Sequence, residues 1–304
     1  MAASAFIRHM QKHADTAEVM RKTRVYAGSS SGAIVALMCC LGMRECDVLW
    51  LERTVDLSTL TPDAPWYAPW QPWVRLVRQF GLYPTDKIRQ CLLEATRAYG
   101  FDADTTFAEL YAVTGKDLMV TITNLNRQQP VVLSRRSTPD FVVIDAICAS
   151  CAIPLVFTPS VATAGVVDAR SGAVLISPGD VLVDGGVAMS NPDEQLQHHV
   201  AEPTDLRVLS VRFTSTASRA NLRSLPPCAG LWAHWLRVLE AVMNSAEYLG
   251  DQQFSTTAHA VVELDASEFS VLNTVGRSLS AADRCTLESI GANAAARYRA
   301  QARG

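Results

Sequence analysis

The chain has 304 residues, of which 49% are hydrophobic and 19% charged, with a formal net charge of −3. This is the make-up of a globular protein with a substantial core, and it excludes a disordered chain or a coiled coil. It offers no basic face for a phosphate backbone, because clusters such as Arg21-Lys22-Thr23-Arg24 and Arg135-Arg136 are short, so nucleic acid is not an expected partner.

In chain order, Ser4–Lys22 reads as a helix, Arg24–Ala27 as a short strand, and Ser31–Gly42 as an apolar helix stopped by glycine. A helix is expected from Thr85 to Tyr99 with Gly100 in the stop position, and Thr106 to Glu109 has the spacing of a capping box. Lys116–Leu125 and Pro130–Ser134 alternate like strands, and Phe141–Ile153 is apolar enough for a buried helix. Val181–Gly186 and Leu206–Phe213 read as buried strands; Leu231–Leu249 and Ala281–Ala302 complete the helices. This alternation predicts an α/β fold with a largely parallel central sheet and helices on both faces. A single domain over residues 1–304 is expected, with a Trp- and Pro-rich helical insertion at about 50–100 and a C-terminal helix at about 281–302.

No segment reaches the roughly 18 consecutive apolar residues of a membrane span, and Met1–Lys12 lacks a signal-peptide apolar region. The expectation is a cytoplasmic protein. Its eight cysteines lack the density of a secreted disulfide scaffold. Cys148 and Cys151 have the spacing of a redox or zinc half-site, but zinc needs a second ligand pair and none occurs, so no metal or other cofactor is expected and both thiols read as core.

Gly28-Ser29-Ser30-Ser31-Gly32, between a strand and an apolar helix, has the G-x-S-x-G spacing of a nucleophile elbow. Such a turn is so sharp that its middle serine, here Ser30, projects from the end of the sheet. The helix starting at Ser31 directs its amides and positive dipole end to the same place, where an oxyanion would develop. The serine needs a base. Of the histidines His9, His13, His198, His199, His234 and His259, none lies in a recognisable signature. Asp184 ends a buried strand directly before Gly185-Gly186, at the sheet edge where α/β sites form, although the same pattern also serves a plain turn.

These stretches together resemble the patatin-like phospholipases. AGSSSGAIVAL and VDGGVAMSNP are similar to the family's G-x-S-x-G and D-G-[GA] motifs. Between them, Ala149, Ser150, Ala152, Pro154 and Phe157 match its Ala-Ser-x-Ala-x-Pro-x-x-Phe block, and Thr106–Leu125 resembles the helix and strand before it. The resemblance implies Ser30 as nucleophile and Asp184 as base of a dyad, with Gly28, Ser31 and Gly32 at the elbow and oxyanion site and Gly185 and Gly186 in the base motif. It implies an acyl-serine intermediate, a phospholipid or other acyl-lipid substrate, and no metal.

The family also carries an upstream glycine-rich oxyanion loop. Aligned through Ala5–Met10, its last glycine falls just before Met1, so the loop and the first strand are expected to be missing. Losing even one oxyanion donor costs on the order of 100- to 1,000-fold in turnover. Three readings therefore stand: a lipid acyl hydrolase, a weak or inactive homologue that binds lipid or a partner, and a Ser-His-Asp esterase using His198 or His199.

Trp66, Tyr67, Trp70 and Trp73 cluster among Pro65, Pro69 and Pro72. The prolines predict an irregular segment leading into a helix at about Trp73. The rings either cap the core or form an interfacial lid next to Ser30 with peripheral membrane contact, in which case Trp66 and Trp70 are exposed and lie on the same side of the molecule as Ser30.

Overall fold

The computed structural model describes residues 1–54, 68, 70–189, 192–193, 195–196, 208–213, 230, 234–243, 245, 259–264 and 279–303. The helices are α1 (Ala2–Gln11), α2 (Ala14–Lys22), α3 (Ser31–Leu41), α4 (Glu45–Thr54), α5 (Gln71–Gln79), α6 (Asp86–Arg97), α7 (Phe107–Thr114), α8 (Val143–Ser150) and α9 (Ala281–Arg303), with a further helical run at 234–243. The strands are β1 (Val25–Ser29), β2 (Gly81–Tyr83), β3 (Asp117–Asn124), β4 (Gln129–Ser134), β5 (Leu155–Phe157), β6 (Ser160–Val161), β7 (Val166–Val167), β8 (Val174–Ile176), β9 (Val181–Asp184), β10 (Val208–Phe213) and β11 (His259–Leu264).

Local chemistry sets several of the boundaries. Thr106 and Glu109 form the expected reciprocal capping box at the start of α7, and left-handed Gly115 ends that helix. Gly42, also left-handed, ends α3. The single helix expected over Ser4–Lys22 is instead two. Thr16 is the reason: its hydroxyl donates to the carbonyls of Met10 and His13, satisfying groups at the end of α1 while His13 turns extended.

The central sheet is built on β3, whose eight residues are all buried, so both of its faces are covered. Helix α3 packs on β1 and β3, and α8 packs on β3 and β9. Leu118, Val120 and Ile122 of β3 share one core with Leu37 of α3, Ile147 of α8 and Leu92 of α6. A second core joins the chain ends, with Phe6 and Met10 of α1 against Leu287 and Ala294 of α9. There α1 and α9 cross so closely that a Cβ on Gly291 would sit 2.5 Å from the Ala2 carbonyl oxygen.

The expected parallel arrangement holds for β1 with β3, and for the small pairs β2 with β5 and β10 with β11. It does not hold for the rest of the central sheet, where β4 and β9 run antiparallel to β3 and β6 runs antiparallel to β9. Connection length is one cause: β3 returns into β4 through a tight turn at residues 125–128, too short for the crossover that a parallel pair requires.

Candidate active site

Register on β3 brings the two candidate residues together. One edge of β3 is taken by β4, which pairs with Met119 through Asn124. The other edge is shared: β1 occupies its first part, with Ser29 opposite Thr121, and β9 its second part, with Asp184 opposite Ile122. Because β1 is parallel to β3 and β9 antiparallel, their C-terminal ends meet head to head at neighbouring positions of one strand. Ser30 follows the first end and Asp184 closes the second.

The junction is tight enough to dictate glycine at two places. A Cβ on Gly185 would lie 2.2 Å from the Thr121 carbonyl oxygen and 2.6 Å from Ser29 Oγ. A Cβ on Gly28 would lie 2.3 Å from the carbonyl carbon and oxygen of Gly32, because the strand-to-helix turn folds back on itself. Gly32 differs, since a Cβ there would meet nothing within 4 Å.

Ser30 occupies the strained middle of the turn at φ 54°, ψ −126°, a region L-residues rarely enter. A buried relay holds it: the Ser30 amide donates to Ser150 Oγ at 2.8 Å, and Ser150 Oγ donates to the Thr121 carbonyl at 2.6 Å. The block around Ser150 is legible in the sequence, but this tethering role is not. Ser30 is half-buried, and α3 starts directly after it, so the positive dipole end of that helix lies beside the serine.

Asp184 is fully buried and fixed on several sides. Its amide donates to the Ala152 carbonyl at 3.0 Å, its carbonyl accepts from Thr123 Oγ1 at 2.9 Å, and its Oδ1 accepts from the Gly186 amide at 2.7 Å. Thr123, a polar residue within a largely apolar buried run, is the sequence signal for that support. Burial pushes the Asp184 pKa from 3.8 up to about 6, against the lowering influence of hydrogen bonds from the Ser30 side chain and the Gly186 amide. Asp184 Oδ2 nevertheless has no partner at regular hydrogen-bonding geometry among the described residues. Ser30 and Asp184 are thus neighbours in loose contact, as is common in unliganded sites.

His9 pairs with Glu288 at 3.2 Å, and His198 and His199 lie outside the described residues. Cys148 and Cys151 are buried free thiols; burial pushes the Cys148 pKa up to about 12 and that of Cys151 well above its ordinary value, as core cysteines require. Among the described residues no cluster of His, Cys, Asp and Glu is arranged to hold a metal ion. No described helix is long and apolar enough to cross a membrane. Trp70 is exposed, as the lid expectation requires, whereas Trp66 and Tyr67 lie outside the described residues.

Comparison with known proteins gives a family profile for patatin-like phospholipase that matches residues 2–196. An uncharacterized protein of Acanthamoeba polyphaga mimivirus is 25% identical over 171 residues, which is 56% of this chain and 49% of that protein. Triacylglycerol lipase 5 of Saccharomyces cerevisiae is 29% identical over 136 residues, 44% of this chain and 18% of the lipase. The chain therefore matches half or less of the length of these relatives. Among solved structures, VipD from Legionella pneumophila aligns over 97% of this chain and 64% of its own, with a TM-score of 0.48 and 13% identity.

Proposed function

This chain belongs to the patatin-like phospholipase family, and from that premise we propose that it is a lipid acyl hydrolase working through Ser30 and Asp184. The observation that carries the proposal is the meeting of β1 and β9 on one edge of β3, which sets a strained serine beside a buried carboxylate. A carboxylate with a pKa of about 6 is ionised at neutral pH yet basic enough to accept a proton from a hydroxyl under attack.

In the proposed reaction Ser30 Oγ attacks the ester carbonyl carbon as its proton passes to Asp184. The tetrahedral oxyanion is stabilised by the amides and dipole at the start of α3. Collapse breaks the bond to the leaving alcohol, which takes the proton from Asp184, and leaves an acyl-serine. Water then attacks that acyl group, Asp184 again accepting the proton, and the fatty acid departs as the Ser30 hydroxyl is restored. The substrate is an acyl ester of a glycerolipid: a phospholipid, following the family's description, or a neutral acylglycerol, following the name of the yeast relative. Because that substrate is packed in an aggregate, the protein is proposed to meet it by peripheral contact with a lipid surface.

The test is fatty-acid release from phospholipid vesicles and from emulsified triacylglycerol, together with labelling by a fluorophosphonate probe. Wild-type protein should release fatty acid and label at Ser30, and Ser30→Ala should lose both by at least about 1,000-fold. Release that survives Ser30→Ala but disappears on mutating His198 or His199 assigns the chemistry to an esterase triad. Absence of both release and labelling favours the weak or inactive reading, in which the chain binds lipid or a partner.

A further inference from the structure

Helix α5 is amphipathic in the inverted sense. Trp70, Trp73, Val74 and Val77 recur at the spacing of one helical face, and Phe80 follows at the cap. These side chains are the exposed ones, with Trp70 60%, Trp73 54%, Val77 77% and Phe80 67% accessible. The opposite side, with Pro72, Arg75 and Leu76, is the partly covered one, and no residue of the helix is fully buried. An ordinary surface helix turns its apolar stripe toward the core.

The helix is nonetheless firmly attached. Phe80, left-handed at φ 61°, ends it and sends the chain straight into β2. Arg75 Nη1 reaches back to the Leu82 carbonyl at 3.0 Å. Strand β2 pairs with β5 so closely that a Cβ on Gly81 would sit 2.3 Å from the Phe157 carbonyl carbon. Strand β5 in turn follows Ala152, whose carbonyl receives the Asp184 amide. The apolar face is therefore displayed on a helix tied through β2 and β5 to the candidate site.

We infer that this face docks on an anionic phospholipid surface. Charge selects that occupant: the helix carries Arg75 and Arg78 and no acidic residue, and Arg78 is exposed along one border of the apolar stripe. Indole rings favour the depth where acyl chains meet headgroups, because one part of the ring is apolar and the N–H can still find water or a headgroup. A short helix with such a face and a cationic border binds in the plane of the interface by apolar burial plus attraction to anionic lipid. The choice of lipid over protein rests on the acyl-lipid reading above, but the docking itself requires no catalysis.

Flotation with vesicles of phosphatidylcholine, alone or mixed with phosphatidylglycerol, tests the inference. Wild-type protein should float with the mixed vesicles, less so as salt rises. The double variant Trp73→Asp, Val77→Asp should lower the bound fraction at least about tenfold, since it places charge where apolar atoms must enter the interface. Arg78→Glu should weaken binding several-fold on mixed vesicles and little on phosphatidylcholine alone. Ser30→Ala should float like wild type, which separates failure of docking from failure of the catalytic reading. Melting by circular dichroism confirms that each variant is folded. The inference is overturned if wild-type protein does not float, or if the double variant floats equally well. It is also overturned if wild-type protein is a dimer in solution that the double variant splits, which makes the face a contact between copies.

Discussion

At the junction of β1, β3 and β9 the chain buries Ser29 Oγ, Thr121 Oγ1 and Asp184 Oδ2 with no partner at regular hydrogen-bonding geometry among the described residues, whereas along α5 it exposes two tryptophans, two valines and a phenylalanine. Each arrangement costs stability, the first by desolvating polar groups and the second by forgoing apolar burial. The two differ in support. Around Asp184 hydrogen bonds hold the amide, the carbonyl and Oδ1, while among the described contacts α5 is attached on its covered side, through Arg75 and β2. A departure from stable packing that is fixed on all sides suits chemistry, which needs a group held in an unfavourable state; one left open on a side suits a surface that completes itself on binding.

The largest effect that separates the regions is steric. Gly28→Ala forces a methyl group into the backbone of Gly32 and should cost about 3 kcal/mol or more, measured by denaturant unfolding. Gly32→Ala, in the same motif, meets nothing and sits inside a helix, so it should leave stability unchanged or raise it by up to about 1 kcal/mol. If the two alanines destabilise equally, the turn is not packed as described.

The next effect is electrostatic and depends on pH. Below pH 3.8 the Asp184 carboxyl is protonated in both folded and unfolded chains, so the protonated-state preference of the fold is fully satisfied. As pH rises from there to about 6, the unfolded chain loses its proton first and stability falls; above that the buried charge exerts its full penalty. Asp184→Asn keeps the Gly186 hydrogen bond without the charge, and should stabilise the protein at pH 7 by up to about 3 kcal/mol, with the gain vanishing toward pH 4. Val77→Asp, on the open face of α5, should by contrast stay within about 0.5 kcal/mol of wild type at any pH where the protein is folded. A destabilised Asp184→Asn, or a Val77→Asp that unfolds the protein, dissolves the contrast between a closed and an open site.

Much of this was legible in the sequence because the signals are local. The glycines around Ser30 announce a sharp turn, Thr106 with Glu109 announces a helix start, and Asp184 before two glycines announces a strand end. The direction of β9 was not legible, because a buried apolar run reads the same whichever way it pairs, and with it went the head-to-head meeting of the two strand ends. Nor was the relay from Ser30 through Ser150 to Thr121, which joins residues far apart in the chain. The break at Thr16 is hidden in the sequence because helical periodicity continues across it while a single hydroxyl ends the first helix. On α5 the pattern of apolar residues is plain, but periodicity does not say whether a stripe faces core or solvent.

The most direct test of the account is the pH dependence of the rate at which a fluorophosphonate acylates Ser30. If Asp184 is the base, the rate should rise through an apparent pKa of about 6 and then level, and in Asp184→Asn it should be at least about 100-fold lower and lack that inflection. Undiminished labelling in Asp184→Asn, or an inflection that persists there and disappears on mutating a histidine, would contradict the serine–aspartate reading.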